Sequence, residues 1–183
     1  QTADEFCEKA FKALKPEDPE TLCAIGWMQI EGMGTAQNRA QGLERHQEAA
    51  KQGYVPAMAA LGDRCLEEKK RAEAITWYKQ AAEKGWAEAQ ASLGEMHDLF
   101  DKAYNPRGGT PDYSKAADWY RKAAEQKLAR AQFRLADLYR FGRGVGKDMA
   151  QSMKLFNSAY ENATGETLAA VCNGIGWFHL LGE

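Results

Sequence analysis

Five pairs of an aliphatic residue followed by a small one recur along the chain: Ile25-Gly26, Leu61-Gly62, Leu93-Gly94, Leu135-Ala136 and Ile175-Gly176, spaced 36, 32, 42 and 40 residues apart. A period of that size is the mark of stacked supersecondary units, none of which can bury its apolar face alone. The unit is clearest at residues 135–159, LADLYRFGRGVGKDMAQSMKLFNSA. Leu135, Leu138 and Tyr139 fall at helical spacing, Gly142 and Gly144 stop that helix, and Asp148 can cap a second one carrying Met149, Met153, Leu155, Phe156 and Ala159. Each unit therefore reads as two helices joined by a turn. The second helices repeat too: Trp77-Tyr78 precedes Ala81-Ala82, Trp119-Tyr120 precedes Ala123-Ala124, and Leu155-Phe156 precedes Ala159. Gly53, Gly85 and Lys127 follow as terminators.

The 183 residues are 44% hydrophobic, enough for one continuous core and little more, so a single domain over 1–183 is expected. The 24 basic and 26 acidic residues leave a net charge of -2, which argues against a nucleic-acid binder, because phosphate contact needs clustered positive charge. No window approaches the roughly 20 consecutive apolar residues that a bilayer span requires. The chain opens at Gln1 on a polar segment. This is read as the loss of an upstream stretch, a secretory peptide or a trimmed end, and with the cysteines it sets the expected location as periplasmic or secreted.

Residues 3–15 place Phe6, Ala10, Ala13 and Leu14 on one stripe, predicting a capping helix within 1–18 that Pro16 and Pro19 end. Helices are predicted over 20–31, closed by Gly32-Met33-Gly34, and from an Asn38 cap to Gln52. The unit over 55–84 lacks the Gly-x-Gly turn and has the charged run Glu67 to Arg71 in a shortened connection. The next connection is lengthened by DKAYNPRGGTP between Phe100 and Asp112, a candidate contact loop or a plain surface insertion. The chain ends on NGIGWFHLLGE, where Trp177, Phe178, Leu180 and Leu181 have no second helix to cover them. They either tuck inward or meet a partner or a second copy, since terminal repeats normally turn a polar face outward.

Cys7 and Cys23 stand either side of the Pro16–Pro19 turn, so a hairpin brings them face to face. A disulfide pinning the first helix to the first repeat and two ordinary buried thiols are both open. Cys65 and Cys172 belong to distant units and are expected to be reduced.

Little in the chain carries catalytic chemistry. Gly142-x-Gly144 follows a helix rather than a strand and reads as a turn, not a phosphate cradle. His46, His97 and His179 sit in different units without an i, i+4 partner, so no metal site or other cofactor is expected. Ser92, Ser114, Ser152 and Ser158 lie in no nucleophile elbow, and the chain is not expected to be an enzyme. Asn162-Ala163-Thr164 formally fits a glycosylation acceptor.

These motifs resemble the Sel-one-like repeat (SLR), a relative of the tetratricopeptide repeat with the pattern LGxxYxxGxGVxxDxxKAxxWYxxAAxxG. YRFGRGVGKD matches its inter-helix part, and AITWYKQAAEKG and AADWYRKAAEQK match its second helix. The resemblance implies an all-α, right-handed alpha-alpha superhelix: a solenoid with a capping helix at 1–18, repeats at 19–53, 54–85, 86–127 and 128–163, and a C-terminal helix at 164–183. Arg45 and His46 stand where the family carries Trp-Tyr, which predicts a wetter outer face there. His97 and His179 replace its core Tyr and are expected to pack structurally. The ladder of one disulfide inside each repeat that marks the disulfide-rich SLR proteins is absent from this sequence.

In related arrays the first helix of each pair lines the concave side, where ligands bind. By that resemblance the groove here would present Glu20, Trp27, Glu31, Asp63, Glu67, Glu88, Glu95, Asp98, Phe133, Asp137, Arg140, Phe141 and Trp177. Eight carboxylates against one arginine would attract a basic protein surface, with the aromatics as anchors. The alternative is a Glu-rich face kept for solubility. The family implies a protein-interaction role. Its small extracytoplasmic members include immunity proteins against type VI phospholipase effectors, which is the leading expectation, with a periplasmic or host-directed adaptor as the alternative.

Overall fold

The computed structural model describes residues 3–98, 111–165, 168 and 171. Among these are nine α-helices and no strand: α1 (Ala3–Ala13), α2 (Pro19–Glu31), α3 (Arg39–Lys51), α4 (Val55–Glu67), α5 (Arg71–Glu83), α6 (Ala87–Asp98), α7 (Tyr113–Glu125), α8 (Ala129–Phe141) and α9 (Met149–Asn162). They group into two compact units, residues 1–84 and 85–183. In the N-terminal unit α2 packs on α3, α3 on α4 and α4 on α5. In the C-terminal unit α6 packs on α7, α7 on α8 and α8 on α9, and α6 touches α8.

Each hairpin is locked by a large ring of the second helix seated on a small residue of the first. The Tyr120 ring covers Gly94 so closely that a Cβ added there would lie 2.5 Å from Cε1. Tyr78 covers Gly62 in the same way, and Phe156 packs on Ala136. The aliphatic-small pair is therefore a knob-and-socket joint: Leu61, Leu93 and Leu135 fill the core while the small neighbour admits the ring. Burying one such ring stabilises by roughly 1.5–3 kcal/mol.

The first hairpin uses His46 on Gly26, and here the expectation of a wetter face is corrected. His46 is 3% exposed, and its Nε2 lies 3.1 Å from the Cys23 carbonyl oxygen. The imidazole takes the buried place over Gly26 that Tyr78 and Tyr120, 2% and 0% exposed, take over Gly62 and Gly94. His97 is half-buried at the end of α6. The expected apolar stripe of α1 is corrected in part as well, because Phe6 is 69% exposed. That helix is instead approached through its backbone: a Cβ on Gly34 would meet the Cys7 carbonyl carbon at 2.3 Å.

Turn length varies, yet one hydrogen bond closes every hairpin. The N-cap amide of the second helix donates to the carbonyl at the same register of the first: Asn38 to Gln29 at 2.8 Å, Lys70 to Cys65 at 2.7 Å, Asp112 to His97 at 3.0 Å and Asp148 to Tyr139 at 3.0 Å. The shortened and the lengthened connections thus leave the hairpin geometry intact. Asn38, Asp112 and Asp148 add side-chain caps to the amides of Gln41, Lys115 and Gln151. Gly142 ends α8 in the left-handed region at φ 65°, where a glycine is unstrained. Lys127 and Lys69 hold the same region at φ 63° and 60°.

Cys7 and Cys23 are unbridged, so of the two alternatives the structure has the free thiols; Cys65 is also free. Burial pushes the Cys23 thiol pKa up. Cys172, His179, the fifth pair Ile175-Gly176, the insertion at 101–110, and Trp177, Phe178, Leu180 and Leu181 lie outside the described residues. The C-terminal helix expected over 164–183 lies almost wholly outside them too.

Candidate partner-binding surface

The first helices turn their apolar residues inward and leave a polar stripe. On α2, Leu22, Ile25, Met28 and Ile30 are buried, while Glu20, Trp27 and Glu31 share one helical face and stand exposed, Trp27 by 50%. Glu20 also acts on α4: Tyr54, just before that helix, has its phenol pKa raised by burial and next by the Glu20 carboxylate. On α4, Asp63 and Glu67 are exposed; Asp63 accepts a hydrogen bond from the Tyr78 hydroxyl, and Glu67 pairs with Arg64.

The C-terminal unit is organised differently. Arg130 of α8 reaches two carboxylates of α6, with Nη2 donating to Glu88 at 2.8 Å and Nη1 lying 3.4 Å from Glu95. The Tyr120 hydroxyl donates to Asp98 at 3.3 Å, and Arg140 Nη2 donates to Asp137 at 2.6 Å. Burial raises the Asp137 pKa against the opposing pull of Arg140 and Arg134. Phe141 is 53% exposed, with the guanidiniums of Arg140 and Arg143 over its ring at 4.5 and 4.9 Å.

Two expectations change accordingly. The count of one arginine overlooked Arg64, Arg130 and Arg134, which stand on the same helices. The i, i+3 spacing of Arg64 to Glu67 was legible in the sequence, whereas the reach of Arg130 across to α6 depends on how the helices pack. Phe133 is not a free anchor: its ring meets Phe156 edge-on, centroids 5.5 Å apart at 67°, at the edge of a buried cluster. Trp177 falls outside the described residues, so its place on this face is not defined.

The hydroxyls of Ser152 and Ser158 have structural partners. Ser152 donates to the Ala136 carbonyl at 2.7 Å, and Ser158 accepts from Gln132 at 3.0 Å. Among the described residues no group of three or more His, Cys, Asp or Glu side chains could hold a metal ion. Nor is any described helix long and apolar enough to cross a membrane.

A family model for the Sel1 repeat matches residues 19–54, 55–86, 87–128 and 129–163. No curated protein matches the chain. Among solved structures, a protective antigen of uropathogenic Escherichia coli with an SLR fold, c5321, is 27% identical over 100% of this chain with a TM-score of 0.78. This chain spans 37% of that protein's length. A Sel1 repeat protein from Oxalobacter formigenes is 24% identical over 99% of this chain and 73% of its own, with a TM-score of 0.80. The immunity protein Pa5087 from Pseudomonas aeruginosa is 18% identical over 92% of this chain and 74% of its own, with a TM-score of 0.43, a distance at which its role does not pass to this chain. The fold is thus the all-α superhelical repeat. Four matched repeats, each a ring-on-small-residue hairpin closed by the same backbone bond, make this chain a member of the Sel1 repeat family.

Proposed function

We propose that the chain binds a protein with a basic surface through the exposed faces of its first helices, and that it is an extracytoplasmic immunity protein covering the basic, phosphate-binding active site of a secreted antibacterial effector such as a phospholipase. The observation that carries this reading is the face of α2 and α4. Glu20 and Glu31 flank a half-exposed Trp27, and Arg64 is matched to Glu67. Exposed carboxylates around an aromatic anchor suit a cationic partner, because charge steers the encounter and the ring supplies desolvated contact area.

The C-terminal unit supports a more limited contribution, because Arg130 already occupies Glu88 and Glu95. Its paired charges favour a second reading, an adaptor or regulator scaffolding envelope or signalling proteins, whose partner carries both signs. Co-expression with the product of the adjacent gene separates the two. Immunity predicts capture of that product and rescue from its toxicity, with both weakened by the double change Glu20→Lys/Glu31→Lys. Neither capture nor rescue would end the immunity reading, and binding indifferent to the charge reversal would end the acidic-face reading. Fractionation that finds the protein in the cytoplasm alone would remove the extracytoplasmic part.

A further inference from the structure

The second helices of the C-terminal unit enclose a cleft that the partner-binding face does not use. It lies between α7 and α9 over α8 and has a volume of about 390 Å³, within the ~300–1,000 Å³ typical of ligand pockets. Its origin can be read in the repeat. At the position where α5 and α7 carry Trp77 and Trp119, α9 carries Leu155, so an indole is missing from the groove. Leu135 and Ala124 line the space together with Leu155, an apolar floor of aliphatic size.

The polar groups around that floor are specific. Gln132 is 4% exposed, and its amide is fixed by bonds to the Ala124 carbonyl, Ser158 and Asn162. Arg121 stands at the exposed rim, its guanidinium paired with Asp118 at 2.8 Å. Lys154 lines the same cleft and pairs with no carboxylate among the described residues. Glu125 also lines it, and its carboxylate opposes an anionic ligand in proportion to the charge, a dianion twice as strongly as a single carboxylate.

We infer that this cleft binds the C-terminal residue of a peptide segment that ends in an aliphatic side chain. The aliphatic group would occupy the space of the missing indole, and the single terminal carboxylate would pair with Lys154 and Arg121. Peptide amides would meet Gln151 and Ser158 along the groove, which neighbour Lys154 and Leu155 on α9. A dianionic phosphate fits less well on account of Glu125.

The test is a titration of the full chain, followed by amide NMR, with acetyl-Ala-Ala-Leu as the free acid, the same peptide as its C-terminal amide, and acetyl-leucine. The free acid is expected to shift the signals of Gln132, Gln151 and Ser158 saturably. The amide is expected to bind at least about tenfold more weakly, since a charge-assisted contact is lost. Leu155→Trp, which restores the residue of the other repeats, is expected to abolish binding while the spectrum stays folded. Lys154→Gln should weaken the free acid towards the level of the amide, and it serves as the readout if the tryptophan variant does not fold. No saturable shift, equal affinity for acid and amide, or binding unaffected by Lys154→Gln would overturn the assignment. Acetyl-leucine binding as tightly as the tripeptide would overturn its peptide part in favour of a small carboxylate.

Discussion

His46 shows how a single residue can turn a shared joint into a titratable one. It fills the socket over Gly26 that tyrosines fill over Gly62 and Gly94. Burial lowers its pKa, opposed by the hydrogen bond at the Cys23 carbonyl and assisted by the positive charge of Arg64. The unfolded imidazole titrates near 6.5, so as pH falls through that value the unfolded chain takes up a proton that the folded chain refuses. Stability contributed by neutral His46 is therefore present above about pH 6.5 and declines below it, by at most ~1.4 kcal/mol per pH unit for one proton. The urea midpoint should fall between pH 7.5 and 5.5, and His46→Tyr should flatten that fall. His97, whose pKa burial also lowers, leaves a residual slope. A midpoint equally steep in the tyrosine variant would show that His46 is not the group responsible. At the same scale Lys127 occupies the left-handed region where Gly53 and Gly85 stand at the ends of α3 and α5. A side chain there costs about 1–2 kcal/mol, partly offset by the greater freedom of glycine in the unfolded chain. Lys127→Gly is expected to stabilise by roughly 0.5–1 kcal/mol, seen as a higher urea midpoint at unchanged slope.

At the scale of the element, the hairpin was legible because its joint is local. The aliphatic-small pair and the aromatic of the second helix are both sequence-visible, and Asn38 and Asp148 announce their helices before the apolar run begins. What could not be read was that a shortened turn, a lengthened one and two of standard length would close on the same carbonyl register. That equality comes from ring-on-small-residue packing, which fixes the two helices whatever the connection does. The caps then make separable contributions. Asp148 accepts from the Gln151 amide at 2.9 Å, and Asp148→Ala should cost about 1 kcal/mol. Lys70, the N-cap of α5, offers no side-chain acceptor. Lys70→Ser should therefore raise the thermal midpoint, and a lowered one would mean that its ion pair with Glu68 outweighs the missing cap.

For the whole molecule, the near-neutral net charge of -2 conceals an uneven arrangement that composition does not display. The sequence identified the carboxylates of the first helices but not which of them are engaged. That depends on Arg130 reaching from α8 to α6, a contact between residues far apart in the chain. Electrostatic attraction of a cation should therefore be concentrated on Glu20 and Glu31 and be weak at Glu88 and Glu95. An octalysine peptide titrated into the protein at low salt supplies a probe whose chemistry is known. Amide shifts are expected to centre on α2 and α4, and the apparent affinity should fall as salt rises, since exposed charges are screened over about 10 Å at 0.1 M. Glu20→Lys/Glu31→Lys should flatten that salt dependence. Glu88→Lys should change it less, because it removes one partner of an arginine that keeps Glu95. Shifts centred on α6, or a salt slope unmoved by the α2 changes, would mean that the ion pairs of the C-terminal unit yield to a ligand more readily than the exposed acids attract one.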